Sequence, residues 1–199
     1  TIINQEANFI DGKGKYLLVE ADEYKKSFLN LNPKYLIITN IDEDHLDFYK
    51  DLEDIQNTFR DLVSKIPKDG FLVCDKTHPH LQSVIKDTKC TVIDYRDIFQ
   101  KNLVLTLPGI HNRQNASAAF TLASILGIDN NVISEKLKTF KGVRRRFEYK
   151  GKTSQGALVY DDYAHNPQKV YAALQGAKEI YPDKKIIAVT SPGNVEERI

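Results

Sequence analysis

Hydrophobic residues in the first two-thirds of the chain form short apolar runs that alternate with stretches of helical periodicity. Two of these runs, residues 16–21 and 35–39, are almost continuously apolar, which is typical of strands buried on both faces of a parallel sheet. Shorter runs predict three more strands, at residues 71–74, 90–93 and 103–107. The alternation predicts an α/β fold in which helices flank a mostly parallel central sheet.

Helical periodicity is clearest in residues 51–66. The apolar side chains of this stretch lie on one face of a 3.6-residue repeat, and Asp51 stands where an N-cap is expected. Further helices are predicted near residues 81–85 and at residues 112–126 and 132–140. Gly127 separates the last two, because glycine suits the left-handed conformation that ends many helices.

The order of predicted elements changes after Gly142. Three arginines at residues 144–146 are followed by a turn-rich stretch at 150–156, a predicted strand at 157–160, a helix that begins at Pro167, and a strand at 185–189. This β-α-β order predicts the beginning of a second, Rossmann-like domain. We therefore divide the chain into residues 1–146 and residues 147–199.

Charge and cysteine content narrow the classes of function. The 28 Lys and Arg residues nearly balance the 27 Asp and Glu residues, which gives a formal net charge of +1. This balance argues against a nucleic-acid partner, which requires a basic excess. No apolar run is long enough to cross a bilayer, so no membrane partner is expected. Cys74 and Cys90 lack metal-ligand spacing and are interpreted as reduced core thiols of a cytoplasmic protein, with a disulfide as the alternative.

Acidic side chains follow the first two apolar runs. Glu20, Asp22 and Glu23 come at the end of the first run, and an acidic string at residues 42–47 that contains His45 follows the second. Because the carboxyl ends of parallel strands line the ligand crevice, we expect these side chains to meet at one edge. Oxygen ligands with a single imidazole suit Mg²⁺ or Mn²⁺ better than zinc. The alternative is a pair of solvated acidic loops.

Three more polar segments lie at predicted loop positions. In residues 108–115, Asn112 can cap the next helix, and Asn112 and Asn115 share a helix face that could read an adenine edge. The arginines at 144–146 could clamp phosphate oxygens at a hinge, and a carboxylate in residues 161–167 could bind ribose hydroxyls. Each segment also has a structural alternative: a capped helix with a surface amide, a solvated basic linker, and a polar turn closed by Pro167.

Taken in order, these segments resemble the muramyl ligase family. The matching strings are VEADEY at 19–24, TNIDEDHLD at 39–47, LPGIHNRQNASAA at 107–119, GVRRRFE at 142–148 and DDYAHNP at 161–167. They cover almost the whole chain in the family's order, and the arginine-rich string is most similar to the branch that adds L-alanine to UDP-N-acetylmuramate. The resemblance implies an ATP-dependent acid–amino-acid ligase of peptidoglycan precursor synthesis that acts through an acyl phosphate.

The resemblance also implies roles for individual residues. Glu20 and His45 match magnesium ligands near the γ-phosphate, and Arg146 matches an arginine that reaches the phosphates from the domain junction. The positions that match nucleotide contacts are His111, Asn112 and Asn115 near adenine, Asp162 at the ribose, and His165 beside the nucleotide or substrate. ATP, Mg²⁺, UDP-N-acetylmuramate and L-alanine are the implied ligands. Residues 1–146 then correspond to a central ATP-binding domain, and residues 147–199 to the beginning of the C-terminal ligase domain. The oligomeric state is not implied.

Three features depart from the family's pattern. No Gly-x-x-x-x-Gly-Lys-Thr/Ser phosphate loop occurs in the 199 residues, so a polypeptide of this sequence alone is expected to be inactive. Asn166 stands where alanine-adding ligases commonly have a second histidine, and the string Pro192-Gly193-Asn194 is more similar to cyanophycin synthetases. The alternatives are therefore another amide ligase of the superfamily (tripeptide-recycling, cyanophycin-type or folylpolyglutamate) and a non-catalytic nucleotide-binding module.

Overall fold

The computed structural model describes residues 9–97 and 103–190, and its first elements form an α/β unit. Three parallel strands, β1 (Tyr35–Ile38), β2 (Phe71–Cys74) and β3 (Thr91–Asp94), pair in the order β1-β2-β3. Helix α1 (Leu52–Ser64) connects β1 to β2, and α2 (Pro79–Ile85) connects β2 to β3. The predicted α/β fold with a parallel sheet flanked by helices is confirmed.

Alternating side chains cover both faces of this sheet. Ile38 and Leu72 belong to one apolar cluster, which also contains Ile55 of α1. Val73 belongs to a second cluster, which it shares with Ala118 of helix α3 (Ile110–Ile125). Since successive residues of a strand point to opposite faces, a sheet covered on both sides requires continuous apolar runs such as FLVC. Burial of each large aliphatic side chain contributes about 1.5–3 kcal/mol.

Helix α1 begins where the sequence predicts. The carboxylate of Asp51 accepts a hydrogen bond from the Asp54 amide at 2.9 Å and so caps the first turn. The apolar face of the helix buries Ile55, Leu62 and Val63. A local cap and a single apolar stripe therefore determine both the position and the orientation of α1.

The second half of the chain combines helices with a hairpin. After α3 come α4 (Asn130–Lys138), β4 (Glu148–Lys152), β5 (Leu158–Asp161) and α5 (Pro167–Ile180). Strands β4 and β5 are antiparallel, with an irregularity between Tyr149 and Gly151. Gly127, between α3 and α4, has the expected positive φ of +80°. Asn166 caps α5 by accepting a hydrogen bond from the Lys169 amide at 2.9 Å.

The chain separates into two compact units. One consists of the described residues within 17–101 and 114–133, and it contains the parallel sheet with α1 and α2. The other consists of the described residues within 1–16, 102–113 and 134–199, and it contains the β4–β5 hairpin and α5. The division between residues 146 and 147 stays a prediction.

Three of the predicted strands are wrong. Residues 16–21, 103–107 and 185–189 are irregular, and no strand within residues 9–97 and 103–190 pairs with them. Leu17 and Leu18 are 79% and 90% exposed. A strand forms only where a neighbour satisfies its backbone N–H and C=O groups, and an apolar run does not by itself provide that neighbour. The expected β-α-β crossover after residue 157 is therefore not completed in this part of the chain.

Two local predictions also need correction. Strand β4 begins at Glu148 and continues to Lys152, so it extends into the stretch at 150–156 that was expected to be turn-rich. Asn112 does not cap α3, since the helix begins at Ile110 and the Asn112 side chain donates to the Pro108 carbonyl at 2.6 Å. The string Pro192-Gly193-Asn194 lies outside the described residues. None of the helices in the described ranges has the length and hydrophobicity needed to cross a bilayer.

Candidate functional site

The candidate residues are divided between the two compact units. Glu20, His45 and Asn115 belong to the unit that contains the parallel sheet. The residues of the other unit are His111, Asn112, Arg146, Asp162 and His165. The candidates therefore form two separate constellations.

His45 occupies a strained turn beyond the carboxyl end of β1. Its φ of 54° is in the left-handed region, which residues other than glycine rarely adopt. The Asp44 carboxylate accepts a hydrogen bond from the His45 amide at 2.9 Å, and the amides of Phe48 and Tyr49 both donate to the His45 carbonyl at 2.9 Å. Backbone strain of this kind costs about 1–3 kcal/mol and is common at functional sites.

The imidazole of His45 lies beside Glu23. Its Nε2 is 3.5 Å from a Glu23 carboxylate oxygen, and its ring centroid is 4.9 Å from that of Tyr24. The Tyr49 hydroxyl donates to the Glu23 carbonyl and so ties the two loops together. Glu20 is exposed in the irregular segment before them, and within residues 9–97 the ion pair of His45 is with Glu23 and not with Glu20.

Metal binding at this loop needs donors beyond these side chains. In the part of the chain that the structure describes, no group of three or more His, Cys, Asp or Glu side chains is placed to hold a metal ion. The His45 and Glu23 side chains are 24% and 40% exposed, so ligand oxygens can reach them. Because Mg²⁺ is commonly held by one or two carboxylates together with phosphates and waters, these donors fit an ion that a nucleotide completes. The pairing of Glu20 with His45 around it stays a prediction.

A polar cluster that was not predicted from the sequence lies at the carboxyl ends of β2 and β3. The buried Asp75 carboxylate accepts hydrogen bonds from the Thr77 amide at 2.8 Å and from the Arg96 guanidinium at 3.2 and 3.3 Å. The buried Asp94 accepts from the amides of Lys76 at 3.0 Å and Arg96 at 2.8 Å. Burial raises the pKa of Asp75, but hydrogen bonds from Thr77 and Arg96 outweigh it and hold the pKa below its usual value. The positions of the two aspartates at strand ends were a signal that could have found this cluster.

The turn before α3 is tightly packed. Gly109 has a φ of +93°, and a Cβ there would lie 2.7 Å from the His111 ring, so the position requires glycine. The Gly109 amide donates to one oxygen of Glu179 at 3.0 Å, and the Arg113 guanidinium donates to the other at 2.7 Å. A carboxylate here satisfies an amide at the beginning of α3 and complements the positive end of the helix dipole.

His111 has a ring nitrogen that is buried. Its Nδ1 makes no hydrogen bond to the described residues. Burial lowers the pKa of His111; the charge of Asp162 opposes this shift, and that of Arg146 adds to it. Asp162 and Arg146 are therefore electrostatic neighbours of the His111 ring. An unpaired buried polar atom is the kind of group that a bound ligand or water satisfies.

The arginine turn, residues 144–147, is strained on both sides of Arg146. Arg145 has a φ of 58° and Phe147 a φ of 48°, both in the left-handed region. For bulky side chains this conformation costs about 1 kcal/mol or more per residue. The Glu148 carboxylate accepts from the Arg145 amide and the Asp162 carboxylate accepts from the Phe147 amide, each at 2.8 Å. Two carboxylates thus compensate the strain by hydrogen bonding.

The loop after β5 packs against the arginine turn through Tyr163. The Tyr163 amide donates to the Arg145 carbonyl at 2.8 Å. Its ring centroid lies 4.6 Å from the guanidinium carbon of Arg145 and 5.9 Å from that of Arg146, which allows cation–π attraction. The ring of His165 is 5.1 Å from the Tyr163 ring, and its Nδ1 is 2.9 Å from the Tyr163 carbonyl. Arg146 and His165 therefore share one aromatic neighbour.

The two asparagines expected near adenine differ in burial and in the hydrogen bonds that their side chains already make. Asn112 is half-buried and its amide nitrogen is engaged by Pro108, whereas Asn115 is exposed. Their contact with a base stays a prediction. The second constellation is suited to an anion because its exposed guanidinium groups can match phosphate oxygens as forks.

Two family models match the sequence. The model described as the Mur ligase middle domain matches residues 3–103, and the model described as the Mur ligase glutamate ligase domain matches residues 145–198. Together they include most of the residues of both constellations.

Similarity to individual proteins agrees with these two family matches. The chain is 41% identical over 207 residues to a UDP-N-acetylmuramate–L-alanine ligase of Clostridium kluyveri, covering 91% of this chain and 45% of that protein. It is similar to the crystal structure of a UDP-N-acetylmuramate-alanine ligase from Thermotoga maritima, with a TM-score of 0.61, 26% identity, and coverage of 80% and 41%. An ADP complex of a MurF ligase from the same organism shares the fold, with a TM-score of 0.60, 16% identity, and coverage of 76% and 41%. The chain spans less than half the length of these proteins.

Proposed function

The chain belongs to the Mur ligase family, and from this premise we propose that it serves the ATP-dependent joining of L-alanine to the carboxylate of UDP-N-acetylmuramate. The reaction is a step in making peptidoglycan precursors, and we assign it to the cytoplasm. The proposal concerns the complete protein in which the chain occurs.

The observation that carries the proposal is the arginine turn. It holds a strained backbone on both sides of Arg146. The charge of Arg146 acts on His111, whose buried Nδ1 has no hydrogen-bond partner among the described residues. A chain that needed these residues only as a linker would have no reason to retain this strain. The alanine-adding identity of the relative from C. kluyveri supports the choice of substrate.

The reaction needs activation of a carboxylate. A carboxylate repels nucleophiles and has no good leaving group, so an oxygen of the acid first attacks the γ-phosphorus of ATP and ADP leaves. The amine of alanine then attacks the acyl carbon of the acyl phosphate, inorganic phosphate leaves, and the nitrogen loses a proton to give the amide. Such phosphoryl transfer is catalysed mainly by positioning and charge neutralisation.

The proposed roles follow from the chemistry of the side chains. Arg146 neutralises charge on the transferred phosphoryl group as a bidentate donor. Glu20 and His45 supply ligands to a magnesium ion, which when bound would neutralise phosphate charge. The remaining nucleotide contacts are assigned to His111, Asn112, Asn115, Asp162 and His165. An ADP complex of a relative with the same fold supports a nucleotide site.

A second candidate is another amide ligase of the superfamily, and Asn166 is the feature that favours it. Its side chain, however, accepts the Lys169 amide as the N-cap of α5. Asparagine is among the best N-cap residues, so capping explains the replacement of histidine without a change of substrate. L-Alanine therefore stays the proposed amino-acid substrate.

An acceptor screen tests the substrate. The complete protein is incubated with ATP, Mg²⁺ and UDP-N-acetylmuramate, and phosphate release is measured with each amino acid in turn. We expect release with L-alanine and little with other amino acids. A preference for a tripeptide with free UDP-N-acetylmuramate would indicate a tripeptide-recycling ligase instead. A preference for glutamate with a folate would indicate a folylpolyglutamate synthase, and one for aspartate with a polypeptide a cyanophycin-type ligase.

Two substitutions test whether the chain serves catalysis or only binds nucleotide. Glu20→Ala and His45→Ala are expected to abolish turnover while nucleotide binding largely remains. Glu43→Ala is the matched control, because Glu43 is an exposed acidic residue of the same loop as His45. If both substitutions leave every activity unchanged, the non-catalytic module is the better assignment.

The polypeptide of 199 residues by itself is expected to be inactive, and measurable ligation by it would contradict that expectation.

A further inference from the structure

The carboxylate of Asp162 already has two backbone partners. One oxygen accepts the Phe147 amide at 2.8 Å, and the other accepts the Ala164 amide at 2.8 Å. Phe147 belongs to the arginine turn, whereas Ala164 belongs to the loop after β5. One side chain therefore fastens two separate stretches of backbone.

The arginine turn needs such a fastening. Arg145 and Phe147 both have left-handed backbone angles, which an unrestrained chain leaves for more favourable regions of φ and ψ. The direction of the Arg146 side chain depends on the backbone at both of its neighbours. Glu148 holds the Arg145 side of the turn through its amide, and Asp162 holds the Phe147 side.

We propose that Asp162 is a positioning residue: it holds the arginine turn in its strained form and thereby directs Arg146, instead of acting mainly through the ribose of ATP. The inference rests on the proposed function, because Arg146 is given its task by phosphoryl transfer. Tyr163 reinforces the same arrangement, since its amide bonds Arg145 and its ring lies against both guanidinium groups. Each carboxylate oxygen accepts an amide from a different stretch of backbone, which is the geometry of a brace.

The first test separates positioning from ribose contact. In Asp162→Asn, the amide group can accept from only one of the two backbone N–H groups, so the turn loosens. We expect kcat to fall about 100-fold, the size that a misplaced catalytic group produces. The loss is the same when 2′,3′-dideoxyATP replaces ATP. A loss that is confined to ATP and vanishes with the dideoxy analogue would assign Asp162 to the ribose and overturn the inference.

The second test asks whether Asp162 acts through Arg146. Arg146→Ala lowers kcat by itself, and adding Asp162→Asn to it is expected to change kcat by no more than about twofold. Independent, multiplicative losses would contradict the inference. Asp161→Asn is the matched control: Asp161 has the same charge, and its contact is a 3.9 Å approach to the partly exposed Arg145, so its loss is expected to change kcat by less than about twofold.

The third test does not need activity. Hydrogen exchange of individual amides is measured by NMR on the protein and on Asp162→Asn. We expect the Phe147 or Ala164 amide to exchange at least about tenfold faster in the variant, while amides of α5 keep their rates and report that the fold is intact. Unchanged exchange at both amides would overturn the inference. If exchange responds but the complete protein performs no ligation, the brace stands and the proposed function fails.

Discussion

The carboxylate of Glu179 in α5 lies 2.7 Å from the guanidinium of Arg113 in α3. Its other oxygen accepts the Gly109 amide, so Glu179 connects α5 to the beginning of α3 at two points. Close packing accompanies these bonds, since the Cα atom of Gly176 lies 3.7 Å from the place where a Cβ on Gly109 would be.

Glu179→Gln is expected to destabilise the protein in a pH-dependent way. Hydrogen bonding from Arg113 holds the pKa of Glu179 below its usual value of 4.5. A depressed pKa stabilises the fold above the unfolded-state pKa, and this contribution is lost as the pH falls through the folded-state pKa. We expect the variant to be less stable by about 0.5–1 kcal/mol at neutral pH, because the pair is partly exposed. Urea denaturation at neutral and at acidic pH measures the difference.

The control for Glu179 is Glu135→Gln. Glu135 forms a looser pair, at 3.9 Å from Lys138, with both side chains mostly exposed. Its replacement is expected to cost less than about 0.3 kcal/mol at either pH. Two outcomes would contradict the proposed role of Glu179: an equal loss of unfolding free energy in the two variants, or a loss in Glu179→Gln that is as large at acidic pH as at neutral pH.

Asp75→Ala is expected to cost about 1–3 kcal/mol of unfolding free energy, because it removes the acceptor of the Thr77 amide and hydroxyl and one acceptor of the Arg96 guanidinium. Asp69→Ala is the matched control. Asp69 also forms a short ion pair, 2.7 Å from Lys34, but its side chain is 72% exposed, and a loss within about 0.5 kcal/mol is expected. Chemical denaturation measures the unfolding free energy of both variants. Similar losses in the two would show that the burial of Asp75 contributes little to stability.

Three tyrosines are expected to resist ionisation. Burial raises the pKa values of Tyr49, Tyr95 and Tyr160 to about 12. A raised pKa keeps its stabilising effect at neutral pH and loses it as the pH rises from about 10 through about 12. Alkaline titration followed by tyrosinate absorbance should therefore show a delayed group among the ten tyrosines of the folded protein, and no delay after unfolding in urea. Tyr49→Phe should reduce the delayed amplitude; a single transition near pH 10 in a protein that is still folded would refute the prediction.

The two thiols are expected to react slowly and unequally. Burial raises the pKa of Cys74 to about 12 and also raises that of Cys90. Because the thiolate is the reactive form, a disulfide reagent at mildly alkaline pH should label both quickly only after unfolding. Cys90 is 8% exposed and Cys74 fully buried, so Cys90 should be labelled first. Peptide mass spectrometry identifies the site, and fast labelling of Cys74 in the folded protein would be inconsistent with this core.

Local chemistry made some elements predictable. Asp51 caps α1, Gly127 takes a positive φ after α3, and Pro167 opens α5, each as expected. These choices depend on interactions within about four residues of the chain, and such interactions can be read from sequence. The continuous apolar run of β2 was predictable for the same reason, since its two-sided burial leaves a clear pattern.

The candidate site was predictable only in part. The loops after β1 and after β5 were identified correctly as polar loops. The ion pair that the structure shows for His45 is with Glu23, and the pairing of Glu20 with His45 around a metal ion stays a prediction. Tyr49 contributes to this arrangement, because its hydroxyl donates to the Glu23 carbonyl across 26 residues of chain. The Asp75–Arg96 pair was missed because its two members are 21 residues apart and meet only when β2 and β3 align.

Sequence alone determined the helices, the three strands of the parallel sheet and the family, because periodicity, caps and motif strings are properties of short stretches of chain. Tertiary structure alone decided which apolar runs became strands, which carboxylate met His45, and what the Asp162 carboxylate bonds. Strand pairing and side-chain partnership are contacts between distant residues, and a backbone amide or a carboxylate takes whichever partner folding brings within hydrogen-bond distance.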